Sequence, residues 1–235
     1  MSIVPVDSEI RRSAGFEQIR RAWPEIVFHD AISNKNWGRL YEERPEFQFA
    51  LVDEDGRLLA EGNSIPVDGM PASWRAAIRQ GFEDETADRL CALAILVDPD
   101  EQGRGLSRLM LEHMRGLAFA RGWELVAPVR PSLKHRYPLT PIERYAERRR
   151  EDGTLFDPWL RAHERLGAEL LGIAEDSLLA EGTVAELEEW CGLAFPESGS
   201  YVVEGALVPI EIDRQRDRGS YREPNVWMRH PRTDS

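Results

Sequence analysis

Apolar positions along the chain fall into three kinds of pattern, each predicting a different element. Residues 46–67, "EFQFALVDEDGRLLAEGNSIPV", alternate apolar and polar side chains on either side of Asp55-Gly56, a strong short-range hairpin signal. Residues 89–97, "RLCALAILV", are continuously apolar and followed by turn residues, as in a strand buried on both faces in mid-sheet. Beyond them Leu106, Leu109, Met110, Met114, Leu117 and Ala118 recur at helical spacing. Arg108, Glu112 and Arg115 fall on the opposite face, and Gly122 stands where a C′ glycine ends a helix. "WELVAPV", 123–129, reads as the next strand. Strand, long helix and strand imply a right-handed crossover onto a parallel neighbour.

The flanking segments are less regular. Residues 15–43 read as two helical pieces broken near Pro24, and a short helix is predicted around Trp74 to Gln80. Residues 130–155 are loop-like and basic, and a helix over Phe156–Leu166 takes Asp157 as N-cap and Pro158 at its first position. Strands around 168–173 and 177–181, a helix at 183–191 and strand-like runs at 200–212 and 220–230 complete the chain. With no repeat and no linker, the economical reading is one mixed α/β domain over residues 1–181, with 182–235 as a strand-rich C-terminal extension packed on it.

Composition narrows the function classes. The 235 residues suffice for a real core, and 42% hydrophobic with 31% charged residues describes a globular chain. A formal net charge of −12 argues against general nucleic-acid binding. The two cysteines are too few for a disulfide scaffold or a zinc cluster, and no metal is expected. The N-terminus lacks an apolar secretory core and "CALAILV", 91–97, is far too short to span a membrane, so neither a membrane nor a secretory route is expected and the cytoplasm is the default.

The candidate chemistry lies in "PDEQGRGLSRLM", residues 99–110. A helix N-terminus exposes amides without intrahelical partners, and Gly103 and Gly105 remove the side chains that would hold an oxyanion away from them. As a phosphate-binding loop the stretch fails the Walker pattern, since Gly105 is followed by Leu106-Ser107. It also fails the dinucleotide fingerprint, which needs glycine where Arg108 stands.

Gln102-Gly103-Arg104-Gly105-Leu106-Ser107 instead resembles the Gln/Arg-x-x-Gly-x-Gly/Ala acyl-CoA signature of the GCN5-related N-acetyltransferase (GNAT) superfamily, with Ser107 in place of the preferred Gly or Ala. The preceding "LAILVDPDEQ" is similar to that family's central strand, and the likeness extends over roughly 46–173. It implies a mixed, largely antiparallel sheet with a splayed parallel strand pair, flanked by helices. It also implies an acyltransferase that moves an acetyl or other short acyl group from acyl-CoA to the amine of a small molecule by direct attack in a ternary complex. On this reading the amides of Gln102, Gly103, Arg104, Gly105, Leu106 and Ser107 hold the coenzyme A pyrophosphate. The edge of Ala94–Val97, hence Ile95, Leu96 and Val97, receives the pantetheine arm and the thioester. Pro128, unable to donate, suits the point where the strands diverge.

Family members commonly carry a tyrosine acid in a pattern like Tyr-Glu-Lys-Leu-Gly; here His163 precedes Glu164-Arg165-Leu166-Gly167, so the imidazolium of His163 becomes the candidate acid. Tyr137 and Tyr145, and similarly His135, are further candidates, while Glu124 reads as surface and Cys91 as a core thiol. Residues 130–150 hold seven Arg or Lys against Glu143 and Glu147, and Arg130 and Lys134 are the candidates for an anionic group of the acceptor or cofactor. The aromatic C-terminal runs are open to extending the sheet, covering the acceptor or forming a homodimer contact. The rival readings are an inert acyl-CoA-binding module, an O-acyltransferase on the same scaffold and, more remotely, a Rossmann-type oxidoreductase.

Overall fold

A computed structural model describes residues 1–83 and 86–232. Among them nine strands form one sheet: β1 (Ser2–Pro5), β2 (Gln48–Val52), β3 (Leu58–Val67), β4 (Arg89–Val97), β5 (Glu124–Val129), β6 (Glu169–Gly182), β7 (Gly199–Tyr201), β8 (Ile210–Asp213) and β9 (Arg218–His230). The helices are α1 (Ser8–Arg12), α2 (Ala14–Arg20), α3 (Ala31–Glu43), α4 (Trp74–Glu83), α5 (Leu106–Ala120), α6 (Ile142–Ala146), α7 (Pro158–Arg165) and α8 (Val184–Cys191). None is long and apolar enough to cross a membrane.

The hairpin is β2–β3, and Gly56 at φ +80° supplies the left-handed residue its turn needs. The sheet runs β1-β2-β3-β4-β5-β9-β8-β7, with β6 on the other edge of β9. All its pairs are antiparallel except β4–β5, as the crossover through α5 predicts. One face buries α5, with Met110, Leu111 and Met114 packed on Leu90 and Leu125. The opposite face buries α2, α3 and α4 over Ile65, Cys91, Val126 and Trp227.

The C-terminal segment is no appendage. β9 is inserted between β5 and β6, pairing with β5 through Val226–His230 and with β6 through Gly219–Arg229. The expected strands near 168–173 and 177–181 are one long β6, with a register shift between Ala174 and Leu178. The run at 200–212 is instead divided, because residues 202–209 leave the sheet between β7 and β8.

Candidate functional site

The signature loop is shaped by its own sequence. The Asp98 carboxylate accepts from the Asp100 amide at 3.0 Å and starts a single 3₁₀ turn, Pro99–Glu101. Gly103 and Gly105, both at φ +79°, then turn the chain into α5. Gly105 is the helix N-cap and brings no capping side chain, so the first amides of α5 are left for another acceptor. A Cβ added at either glycine would meet no protein atom within 4 Å. Gln102, Gly103, Gly105, Leu106 and Ser107 line the cavity described below, whereas the Arg104 side chain pairs with Glu101, itself paired with Arg57. Arg104 itself is not among the residues that line the cavity.

Next to the cradle the sheet opens. β4 and β5 pair at Arg89↔Glu124, Leu90↔Leu125 and Cys91↔Val126, after which they part. A bulge at this point puts Leu93 out of register with β3, and the Trp74 indole donates to the Leu93 carbonyl at 2.8 Å. Past Cys91 the β5-facing edge of β4 has no strand partner, as the resemblance implied. Ile95 and Val97 line the opening; Leu96, on the alternate face, is buried in the opposite core. Pro128 stands across the gap on β5, where a missing N–H leaves no donor unpaired.

A cavity of about 730 Å³ runs from the glycine loop across the splay into a polar chamber on the far side. This size suits a small ligand together with the end of a cofactor arm. Arg130, Ser132, His135, Ser177, Glu223 and Asn225 line the chamber, together with Trp23, Pro24 and Gly205. Gly205 is required there: at φ +79°, a Cβ would sit 2.9 Å from Pro24 Cβ.

Of the expected catalytic residues, His163 lies on the cavity wall. It is 2% exposed, its Nδ1 is 3.0 Å from His230 Nε2, and its Nε2 has no hydrogen-bond partner. Burial first, and the neighbouring His230 second, hold its pKa well below the ordinary histidine value. The resting side chain is therefore a neutral imidazole and not the expected imidazolium, and it can donate to a thiolate only after taking up a proton. Tyr137 and Tyr145 do not line the cavity. Tyr145 is buried and donates to Asp157 Oδ2 at 2.9 Å; burial, then the Asp157 charge, push its phenol well upward. Tyr137 packs against Tyr145 and Phe156. Tyr145 thus helps hold Asp157, which caps α7 through the Trp159 and Leu160 amides and also accepts from the Ser132 and Leu133 amides.

The basic pair separates. Arg130 lines the chamber, held by Glu223 through Nε (3.0 Å) and by the Gly205 carbonyl through Nη2 (2.7 Å). Lys134 is fully buried outside it, and Nζ donates to the carbonyls of Leu207 (2.6 Å), Tyr137 (2.8 Å) and Pro138 (3.4 Å). The expected anion-binding role of Lys134 is thus replaced by a structural one, because an ammonium has only three donors. Lys134→Met should lower stability by about 3 kcal/mol, a Tm drop of roughly 10 °C, and leave acyl-CoA affinity intact. Thermal unfolding with and without acyl-CoA checks this; an unchanged Tm with weakened acceptor binding would return Lys134 to the site. Cys91 is a core thiol whose pKa burial pushes up, and Glu124 pairs with Arg89 at 3.5 Å. His135 lines the chamber, its pKa held down by burial and then by Arg130.

Glu223, Asn225 and His230 were not expected in the site. They sit on a strand whose alternation is legible, but nothing local in the sequence places that strand beside β5.

No family model matches the chain. The chain is 30% identical to the arginine N-acetyltransferase avaD of Aspergillus versicolor over 246 aligned residues, covering 89% of this chain and 85% of that protein. Among solved structures it is similar to the loading GNATL domain of CurA from Lyngbya majuscula, at 22% identity and a TM-score of 0.63 over 75% of this chain and 88% of that one. It is also similar to the GphF GNAT-like decarboxylase in complex with isobutyryl-CoA, at 18% identity and a TM-score of 0.61 over 98% of both chains. The likeness to avaD over most of both sequences, on a fold whose β4 and β5 splay beside a glycine cradle, shows that the chain belongs to the GNAT superfamily and is an acyl-CoA-dependent N-acyltransferase.

Proposed function

We propose that this enzyme transfers an acetyl group from acetyl-CoA to the amine of an amino acid, arginine or a close analogue. The observation that carries the reading is the continuity of the cavity: it joins the glycine cradle, the open edge of β4 and a polar chamber containing Arg130. A cradle alone would bind a cofactor; a chamber joined to it across the splay also admits an acceptor. The avaD relative, an arginine N-acetyltransferase, supports this acceptor class.

The amides of Gln102 to Ser107 hold the pyrophosphate, where a helix N-terminus favours negative charge. The acyl group lies in the splay, with its carbonyl oxygen at a main-chain N–H of β4. A neutral amine in the chamber attacks the thioester carbon, and the oxyanion that forms is stabilised by that N–H. His163 Nε2 takes the proton that the new C–N bond forces off nitrogen and gives it to the departing thiolate. One C–S bond breaks, one amide forms, and coenzyme A leaves as its thiol. Arg130, steadied by Glu223, receives the acceptor carboxylate.

The test is thiol release from acetyl-CoA with arginine and with its decarboxylated analogue agmatine. Arginine should be acetylated, with KM at least tenfold lower than that of agmatine. Equal KM values would remove Arg130 from acceptor recognition, and no release across a panel of amino acids would overturn the acceptor class.

A further inference from the structure

Where the chamber meets the splay, one side-chain amide is bonded at only one end. Asn225 of β9 is 7% exposed and lines the cavity. Its Nδ2 donates to the carbonyl of Pro128, the residue that stands across the gap from β4, at 3.2 Å. A main-chain carbonyl only accepts, so this bond fixes which end of the amide is nitrogen and which is oxygen. The oxygen, Oδ1, is buried and has no hydrogen-bond partner, a costly state for an acceptor unless a ligand brings the donor.

The backbone sets the amide at this junction. Val226 pairs with Val129, so Asn225 is the first residue beyond the β5–β9 ladder. On its other side Asn225 stands opposite Ala174, and Glu223 stands opposite Leu178, so that Glu175, Asp176 and Ser177 of β6 bulge against the single Pro224. Glu223 and Asn225, two residues apart on a strand, share one face. Arg130, Glu223, Ser132 and Ser177 in the chamber already have partners. Arg130 is bonded to Glu223 and the Gly205 carbonyl, Glu223 also accepts from Tyr221, Ser132 donates to Asp157 and Ser177 to the Ala174 carbonyl.

An amine that attacks a thioester must present its lone pair to the carbonyl carbon, which obliges its N–H groups to point elsewhere. A hydrogen-bond acceptor beside one N–H sets that rotation. It should also be neutral, because a carboxylate favours the ammonium, which has no lone pair. An amide oxygen meets both requirements. We infer that Asn225 is an amine-binding residue, whose Oδ1 takes a hydrogen bond from an N–H of the attacking amine and so aims its lone pair across the splay at the acyl carbon. The inference rests on the proposed acyl transfer. It is independent of the substrate carboxylate, since Asn225 addresses the nitrogen that reacts and Arg130 the carboxylate.

That division supplies the test. Asn225→Leu, which keeps a branched shape but no polar atom, should lower kcat by about tenfold or more with arginine and agmatine alike, while acetyl-CoA affinity measured by titration calorimetry is unchanged. Asn225→Asp should move the rise of kcat with pH upward by about one unit or more, because the bound amine then holds its proton more tightly. If Asn225 only packs on Pro128, the variants lose activity in step with Tm and the rise stays in place; that result overturns the inference, as does a loss confined to arginine. A direct arm needs no turnover. In the coenzyme A complex, the Asn225 side-chain amide NMR signals, identified by their absence in Asn225→Leu, should shift on addition of arginine or agmatine. Unshifted signals overturn the inference. Shifted signals with no turnover of any amine would instead count against acyl transfer and leave amine binding in place.

Discussion

Gly105→Asp should weaken acyl-CoA binding by roughly tenfold to a hundredfold while the protein melts within a few degrees of wild type. The two effects separate because of where Gly105 lies. It caps α5 in the left-handed region, which aspartate adopts more readily than most residues, and a Cβ there meets no atom beyond its chain neighbours within 4 Å. A carboxylate at a helix N-terminus is also favourable to the helix. What it opposes is a second anion on the same amides. Isothermal titration with acetyl-CoA and with coenzyme A should show the loss in both, since both carry the pyrophosphate, and kcat at saturating acetyl-CoA should be largely retained. Gly105→Asn, equal in size and uncharged, should lose only a few-fold. If Asp and Asn lose equally, the cause is bulk and not charge; if neither loses, the pyrophosphate does not sit on this helix.

His163→Phe carries the other large effect. Kcat should fall about a hundredfold, the scale of a lost proton-transfer group, while acyl-CoA affinity changes little. The variant leaves His230 Nε2 without its partner, so some loss of Tm is expected as well. His163→Gln, which can refill that hydrogen bond without titrating, should recover stability but not turnover. The pH dependence follows from the sign of the shift. The folded imidazole has its pKa well below the ordinary value, so the working neutral form persists to lower pH than in a free histidine, and the rate falls only where the ring becomes protonated. His163→Phe should abolish that acid limb. A variant with wild-type turnover would exclude His163 from the chemistry.

What the sequence disclosed was local. Asp55-Gly56, the apolar run of β4, the two glycines before α5 and Asp157-Pro158 before α7 each prescribe backbone geometry within a few residues, and each is found in place. His163 was reached by its spacing from Leu166-Gly167. The partners of charged and aromatic groups were not legible. Lys134 and Arg130 stand four residues apart in one basic stretch, yet one is consumed by backbone carbonyls and the other enters the chamber. Tyr145 is directed to Asp157, and His163 meets a histidine 67 residues later. These choices are made by strand pairing across the sheet, which leaves no trace in local periodicity.

The insertion of β9 has a consequence for how activity is acquired. One strand delivers Glu223 and Asn225 to the chamber from one face and, from the other, His230 to His163. Side chains alternate along a strand, so a slip of a single residue would turn all three away at once. The strand is also the last in the chain and pairs with β5 across the intervening β6, α8, β7 and β8, a long-range contact of the kind that is slow to form. A chain halted before β9 docks can already possess its glycine cradle and α5, and so bind nucleotide, yet its chamber lacks Glu223 and Asn225 and its His163 lacks the His230 partner. Competence to transfer an acyl group should therefore appear as a single late event, trailing the recovery of helical signal during refolding.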